Sequence, residues 1–408
     1  MYLGGMPRAG WKKPESERRL SDLVSVGLLT RVFPAGLVDG VISEVGRSEQ
    51  RHRSLPARVM AYFSMGMALH SEGSYLDVLS LLTDGLSWAD SGGEPPKLPS
   101  KSAIFQARVR LGSEPLERLF RRVAVPMALE SMPWAWLAGR RLVAIDGMCL
   151  DVADTADNDG WFGRPGVNKG ERSAFPQARV VGVAECGTHA IFDAVVGAYT
   201  TGENTLAAEL VDRLTPGMLV LADRGFCGFP LWQRAAATGA DLLWRARENM
   251  KPRHVETLDD GSWLAELRPS GNAGRNAQPL TIRVVDYSVD DGRGETGPYR
   301  LFTTLLDPEE APAADLAFAY AQRWEIEATF DELKTHQRGP RTVLRSKSPD
   351  LVLQEIWGHL CCHYAIRTLM FEAAETADVD PDRVSFVAAL RIARRSIAQA
   401  RDFSPSGH

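Results

Sequence analysis

The stretch Met218-Leu-Val-Leu-Ala-Asp-Arg-Gly225 decides how the chain folds. Its unbroken apolar run, introduced by Pro216-Gly217, lacks the alternation of a half-exposed strand and describes a short strand buried on both faces. Asp223 closes the run. An acid at the end of a buried strand is costly unless it is paired, hydrogen-bonded or bound to a metal. The same pattern occurs upstream in Leu142-Val-Ala-Ile-Asp-Gly147, where Asp146 follows the apolar run and a glycine follows the acid.

Outward from these two runs, residues 178–185 and 190–196 read as strands joined by a turn at Gly187. Helices are expected over 203–214 and 230–238, and a strand over 241–245. The order is strand, strand, strand, helix, strand, helix, strand. A three-strand meander feeding a helix and further strands fits a ribonuclease H-like, mixed α-β core better than a repeated βαβ order. Residues 249–312, rich in Gly, Asp and Arg, read as a β-rich insertion with strands near 263–267, 280–285 and 299–305. A helix without Gly or Pro is expected from Ala313 to Gln337, ending at Gly339-Pro340, and two more near 349–373 and 381–400. The expected organisation is thus an all-helical N-terminal domain over 1–138, a core built from 139–248 and 313–345, the insertion, and C-terminal helices over 346–408.

In the front segment, Leu23, Val26, Leu29 and Val32 recur at three-residue steps, and apolar helices follow over 55–69 and 75–86. Ser91-Gly-Gly-Glu-Pro-Pro-Lys97 is a break. Ser100 or Ser102 then caps a short helix that stops at Gly112 and carries Lys101, Arg108 and Arg110. An Arg-rich helix after a turn suits a DNA-reading element, and a solvated helix face suits the same residues equally.

The formal charge of −5 is a sum over unlike parts. Residues 1–140 carry 18 basic and 14 acidic side chains, whereas 141–227 carry 7 and 12. The acidic block contains both strand-borne acids, and a second basic group, Arg338, Arg341, Arg345 and Lys347, follows the long helix. Within that helix Tyr320, Arg323, Glu327 and Lys334 stand at offsets 0, 3, 7 and 14, which an ideal helix gathers into an arc of roughly 60°. One face would then present a phenol, a guanidinium, a carboxylate and an ammonium in line. Such a face suits a nucleic-acid strand laid along it. Asp331, one turn on, is the rival acid. Asp146, Asp223 and Glu327 together would offer the oxygen ligands that Mg²⁺ or Mn²⁺ takes.

The spacing Tyr320-x-x-Arg323-x-x-x-Glu327-x-x-x-x-x-x-Lys334 resembles the Tyr-Arg-Glu-Lys signature of bacterial DDE transposases of the insertion element 4 group. Trp324, Ile145-Asp146-Gly147 and Ala222-Asp223-Arg224-Gly225-Phe226 are similar to that family at the corresponding motifs, and the resemblance covers roughly residues 20–370. It implies an enzyme that cuts double-stranded DNA at the terminal repeats of a mobile element and transfers the freed 3′-hydroxyl ends into target DNA. Asp146, Asp223 and Glu327 would be catalytic and would hold two Mg²⁺ ions, Mn²⁺ being able to substitute. Tyr320, Arg323, Lys334 and Arg224 would hold phosphates. Tyr299 is the nearest candidate for a flipped-base contact, ahead of Trp263 and Trp244. The resemblance further implies a homodimer on DNA, no small-molecule cofactor, and a place in the bacterial cytoplasm at the nucleoid.

Two other classes stay open from residues alone: a catalytically silent, domesticated DNA-binding protein, and a stand-alone metal-dependent nuclease. The lysines and arginines of residues 1–20 precede no apolar block, so no secretory signal is expected, and no run approaches the roughly 18 apolar residues of a membrane span. Five cysteines without a CxxC pair speak against a disulfide framework and for a reducing interior. His359 and His363 have the i, i+4 spacing of a metal pair, but their apolar helix favours core histidines.

Overall fold

A computed structural model describes residues 27–49, 55–84, 99–166, 173–269, 277–289, 297–339 and 342–396. Leu23, Val26, the break at Ser91–Lys97, Arg341, the end of the last expected helix and the first twenty residues lie outside them. The helices of the front are α1 (Leu28–Val32), α2 (Ala35–Glu44), α3 (Ala57–Leu69), α4 (Tyr75–Asp84), α5 (Lys101–Leu111) and α6 (Glu114–Val123). Strands β1 (Trp136–Leu137) and β2 (Arg140–Asp151), helix α7 (Ala156–Phe162), and strands β3 (Gln177–Glu185) and β4 (Ile191–Ala198) follow. Next come α8 (Glu203–Val211), β5 (Met218–Ala222), α9 (Phe229–Ala236) and β6 (Asp241–Arg245). The insertion forms β7 (Arg253–Thr257), β8 (Trp263–Leu267), β9 (Leu280–Val289) and β10 (Gly297–Thr303). The chain continues in α10 (Ala313–Ala321), α11 (Trp324–Asp331), a π-helical segment (Glu332–Gln337), α12 (Pro349–Ala377) and α13 (Phe386–Ser396).

One sheet runs β4-β3-β2-β5-β6-β10-β9-β8-β7, with β1 paired to β2 off that path. The meander β2-β3-β4 is antiparallel, and β2, β5 and β6 are parallel. This is the expected ribonuclease H-like order. The insertion extends the sheet, because β10 pairs antiparallel with β6. The apolar runs are unbroken because both faces are covered. Val143, Ile145, Val220 and Ala222 face a core shared with α8 and α9, while Leu142, Ala144, Leu219 and Leu221 face one shared with α10–α12 and the front helices.

The front helices and the C-terminal helix form one packing unit. All 13 residues of α3 are buried, and Gly358 of α12 lies so close that a Cβ there would come 2.8 Å from the Ser64 carbonyl oxygen. Arg108 is not on the exposed face of α5, where both sequence readings had put it. It is fully buried, with Nε donating to Gln354 Oε1 (2.8 Å) and Nη1 to the Tyr75 hydroxyl (2.6 Å). The Gln354 amide returns bonds to the Arg108 and Gly112 carbonyls. Lys101 and Arg110 remain on the exposed face of α5, beside the solvent-facing Phe105 and Val109. Ser100 caps this helix through the Ala103 amide, and Gly112, at φ 72°, ends it.

The second basic group is likewise partly internal. Arg338 is buried against the Thr342 carbonyl, and Arg345 donates to the Gly73 carbonyl, leaving Lys347 exposed. No helix among the described residues is long and apolar enough to cross a membrane. Arg108→Ala is expected to destabilise the protein by about 3 kcal/mol or more, since it strands buried polar groups. Lys101→Ala and Arg110→Ala should stay within about 0.5 kcal/mol. Urea denaturation of the three variants checks the contrast.

Candidate active site

Asp146 does not end its strand, as the apolar run had suggested; β2 continues to Asp151. What ends is its parallel pairing with β5, whose last register partners are Ile145 and Ala222. Asp146 and Asp223 are therefore the next residues along two adjacent parallel strands. Strand alternation turns both toward the α10–α11 face.

The single helix expected over 313–337 is three pieces. At Gln322 and Arg323 the bonding tightens to i→i+3, with the Arg323 amide on the Tyr320 carbonyl (3.1 Å), before α11 begins. Beyond Asp331 it widens to a π-helix, a feature concentrated at functional sites. The break separates side chains that a straight helix would align. Tyr320 is buried, its hydroxyl donating to the Ala222 carbonyl (3.4 Å) just ahead of Asp223. Burial, and next to it the Asp223 charge, push its phenol well above the usual value, the Arg323 charge only partly opposing them. Lys334 is exposed, near enough to β2 for its charge to act on the Cys149 thiol.

Arg323 links the elements. Its Nη1 lies 3.5 Å from Asp146 Oδ2, and its Nη2 donates to Glu327 Oε1 (3.0 Å). Its buried Nε–H has no acceptor among the described residues, and the guanidinium lies over the exposed Trp324 ring, 4.8 Å from its centroid. α11 approaches the sheet closely because Gly182, opposite Asp146 on β3, leaves room for the Phe330 ring. Burial raises the Asp146 carboxyl to about 6; the Gly147 amide and Arg323 oppose the shift, and Glu203 and Glu327 add to it. The rival acid Asp331 is turned elsewhere, bonded to Thr335 (2.6 Å) and 3.5 Å from the His336 ring.

After β5, Asp223 Oδ1 accepts the Arg224 amide (2.5 Å), and the loop is pinned by Arg247 Nε on the Arg224 carbonyl (2.8 Å) and Asn204 on the Gly225 carbonyl (3.1 Å). The Arg224 side chain is exposed, 3.7 Å from Glu248. Tyr299, on β10, stacks on Tyr287 with centroids 5.3 Å apart, and Arg245 lies over its ring at 4.1 Å. Of the weaker candidates, Trp244 is buried, while Trp263 stacks on His254 and donates to Asp286 (3.2 Å).

Residues that sequence reasoning passed over gather on the other side of α11. His189, Glu325 and Asp382 bring one ligand atom each within 4.8 Å of one another. His189 is in the left-handed region (φ 55°). Arg367 lies against its Nδ1, and since a guanidinium can only donate, the ring proton belongs on Nε2, which faces Asp382 Oδ1 at 3.3 Å. The trio thus sets one imidazole N–H between two carboxylates. Glu332 completes it. Burial alone would raise its carboxyl, but the His189 and His363 rings and the Arg367 guanidinium hold it far below the usual range. His363 faces Glu332 at 3.2 Å while His359 faces Gln337, so the two histidines are core groups.

Burial pushes the Glu325 carboxyl up to about 7, with Asp382 adding to the shift, although the Gly187 amide and His189 oppose it. An acid that binds its proton more tightly when folded contributes stability below its unfolded value, and that contribution is lost as pH rises through the folded one. Glu325→Gln should therefore stabilise the protein at pH 8 by up to about 3 kcal/mol and flatten the decline in melting temperature between pH 4.5 and 7. A variant whose melting curve parallels the wild type across that range would contradict this assignment.

A mixed sheet with ribonuclease H-like order, two acids level on its central strands and a third on the covering helix define the class. Residues 137–365 match the family model described as the transposase DDE domain, and the protein is a DNA transposase of that class. Residues 23–121 match the insertion element 4 transposase N-terminal model, and the chain belongs to the insertion element 4 family. It is similar to transposase InsG for insertion sequence element IS4 of Escherichia coli (strain K12), at 29% identity over 376 residues, covering 90% of this chain and 82% of InsG. A piggyBac transposase synaptic complex with hairpin DNA covers 91% of this chain and 79% of its own at 10% identity and a TM-score of 0.44, too distant to add to the assignment.

Proposed function

We propose that Asp146, Asp223 and Glu327 form the metal-dependent centre that cuts the ends of an insertion element and joins them to target DNA. The observation that carries this reading is the register: parallel pairing of β2 and β5 stops one residue short of both acids, and Arg323 ties the first of them to Glu327. The donor set is all oxygen and the Asp146 carboxyl is pushed up by burial and neighbouring acids, which suits hard divalent cations. Two Mg²⁺ held there would neutralise the acids and stabilise the attacking and leaving oxygens of an in-line displacement.

The chain's own groups do the rest. Arg323 balances Asp146 and Glu327 in the free protein, and its guanidinium would turn to a phosphate once metal ions take over the acids. Lys334 and Arg224, both exposed, extend the cationic path on either side of the acids. Tyr320 acts from beneath, fixing the Ala222 carbonyl and hence the start of the Asp223 loop. Tyr299 and Arg245 form a stacking platform one strand beyond. The outer face of α5 is the surface for end recognition, now resting on Lys101 and Arg110 without Arg108. Joining two element ends calls for two copies of the chain on DNA.

Labelled element-end duplex incubated with the protein and Mg²⁺ tests this. Asp146→Asn, Asp223→Asn and Glu327→Gln should each lower strand cleavage by about a hundredfold or more while retaining duplex binding. Asp331→Asn should cut normally. Arg224→Ala should reduce the salt dependence of binding by about one unit of slope. Wild-type protein that binds the duplex and never cuts it would instead favour the silent DNA-binding reading.

A further inference from the structure

A fourth carboxylate stands at this centre. Glu203 opens α8 directly after Gly202, on the face of the sheet opposite α11. Its carboxylate lies against Gly147, the residue after Asp146: a Cβ built on Gly147 would collide with Oε1 and come 2.8 Å from Cδ. Gly147 has ordinary strand dihedrals, so no backbone requirement explains the glycine. The glycine instead opens a gap in the α8 face at the level of Asp146, and the Glu203 side chain fills it. The Glu203 charge acts on both Asp146 and Cys149, on either side of that gap. Its neighbour Asn204 is tied to the loop that follows Asp223.

Among the described residues Glu203 has neither a hydrogen bond nor an ion pair to its carboxylate, although it is half-buried beside another acid. Arg323 is already shared between Asp146 and Glu327, and Arg179, level with Cys149 on the Glu203 face, is engaged by the Tyr199 ring and carbonyl. A carboxylate packed beside another acid without an ion pair of its own is an arrangement that a bound cation would relieve. A glutamate in a first helical turn also interacts favourably with the helix dipole. That role requires neither the approach to Gly147 nor the anchoring by Asn204.

We propose that Glu203 is a fourth carboxylate of the catalytic centre, sharing a divalent cation with Asp146, and that position 147 is glycine to admit it. This rests on the assignment of Asp146 and Asp223 as metal ligands. The test uses the full chain without DNA, Mn²⁺ as the probe, and two readouts: Mn²⁺ affinity by paramagnetic resonance titration, and melting temperature with and without Mn²⁺. Glu203→Gln should weaken Mn²⁺ binding by about tenfold or more, raise the metal-free melting temperature, and remove most of the rise that Mn²⁺ produces. Gly147→Ala should weaken Mn²⁺ binding in the same direction by displacing the carboxylate. Glu209→Gln, on the exposed side of the same helix, should leave it unchanged.

Wild-type Mn²⁺ affinity in Glu203→Gln alongside weakened binding in Asp146→Asn would overturn this proposal and leave the three-acid centre standing. Wild-type affinity in Asp146→Asn and Asp223→Asn as well would overturn both. A Glu203→Gln variant that melts lower by the same amount with and without Mn²⁺ identifies a helix-dipole acid, and the proposal fails. Should Gly147→Ala not fold, the Glu203→Gln comparison decides alone.

Discussion

The parallel register between β2 and β5 is the constraint on which the centre depends. It brings Asp146 and Asp223 level on adjacent strands and, by ending at Ile145 and Ala222, frees the following residues for something other than the ladder. A slip of one residue would turn one acid to the α8 face and bury it among valines and leucines. That register is enforced from both sides, because each strand inserts alternate apolar residues into two separate cores. The apolar packing that stabilises the fold therefore also fixes the spacing of the acids.

Electrostatics then set how the covering helix meets the sheet. Converging carboxylates repel, and the protein answers with one buried guanidinium at the junction of α10 and α11. The break there lets Tyr320 turn inward to the Ala222 carbonyl and Arg323 reach two acids at once. On the far side of α11, Glu325 faces the His189 ring of the β3–β4 turn and Glu332 meets the Arg367 guanidinium of α12. The helix is clamped on opposite faces by ion pairs, one set belonging to the site and the other to the scaffold.

Much of this was legible in the chain, and the misreadings share physical causes. Strands β5 and β6 and their order followed from apolar runs bounded by Gly, Pro and acids, because doubly buried strands have few alternatives. The three acids were marked by position and by resemblance. Asp146 was misread as a strand end because a ladder can stop on one side of a strand while continuing on the other, and composition does not register that. The break near Arg323 has no Gly or Pro to announce it; tertiary bonds impose it. Arg108 and Arg338 were taken for surface charges since burial of an arginine depends on partners, such as Gln354, far away in sequence. The approach of Glu203 to Gly147 joins residues 56 positions apart, and the sequence marked the first only as the start of an expected helix. The exposed strand β7 and the short α7 carried too little periodicity to be seen.

The place of α12 has a consequence for the order of events in synthesis. The front helices are synthesised well before the helix around which their core closes: α3 has no solvent-facing side, and part of its cover is α12. Until residues near Gly358 emerge, the surface meant for α12 is bare and Arg108 has no Gln354 to hold. A chain cut short before α12 would own the two strand acids yet lack the scaffold that seats α11, so the proposed centre is assembled only once α12 has been made.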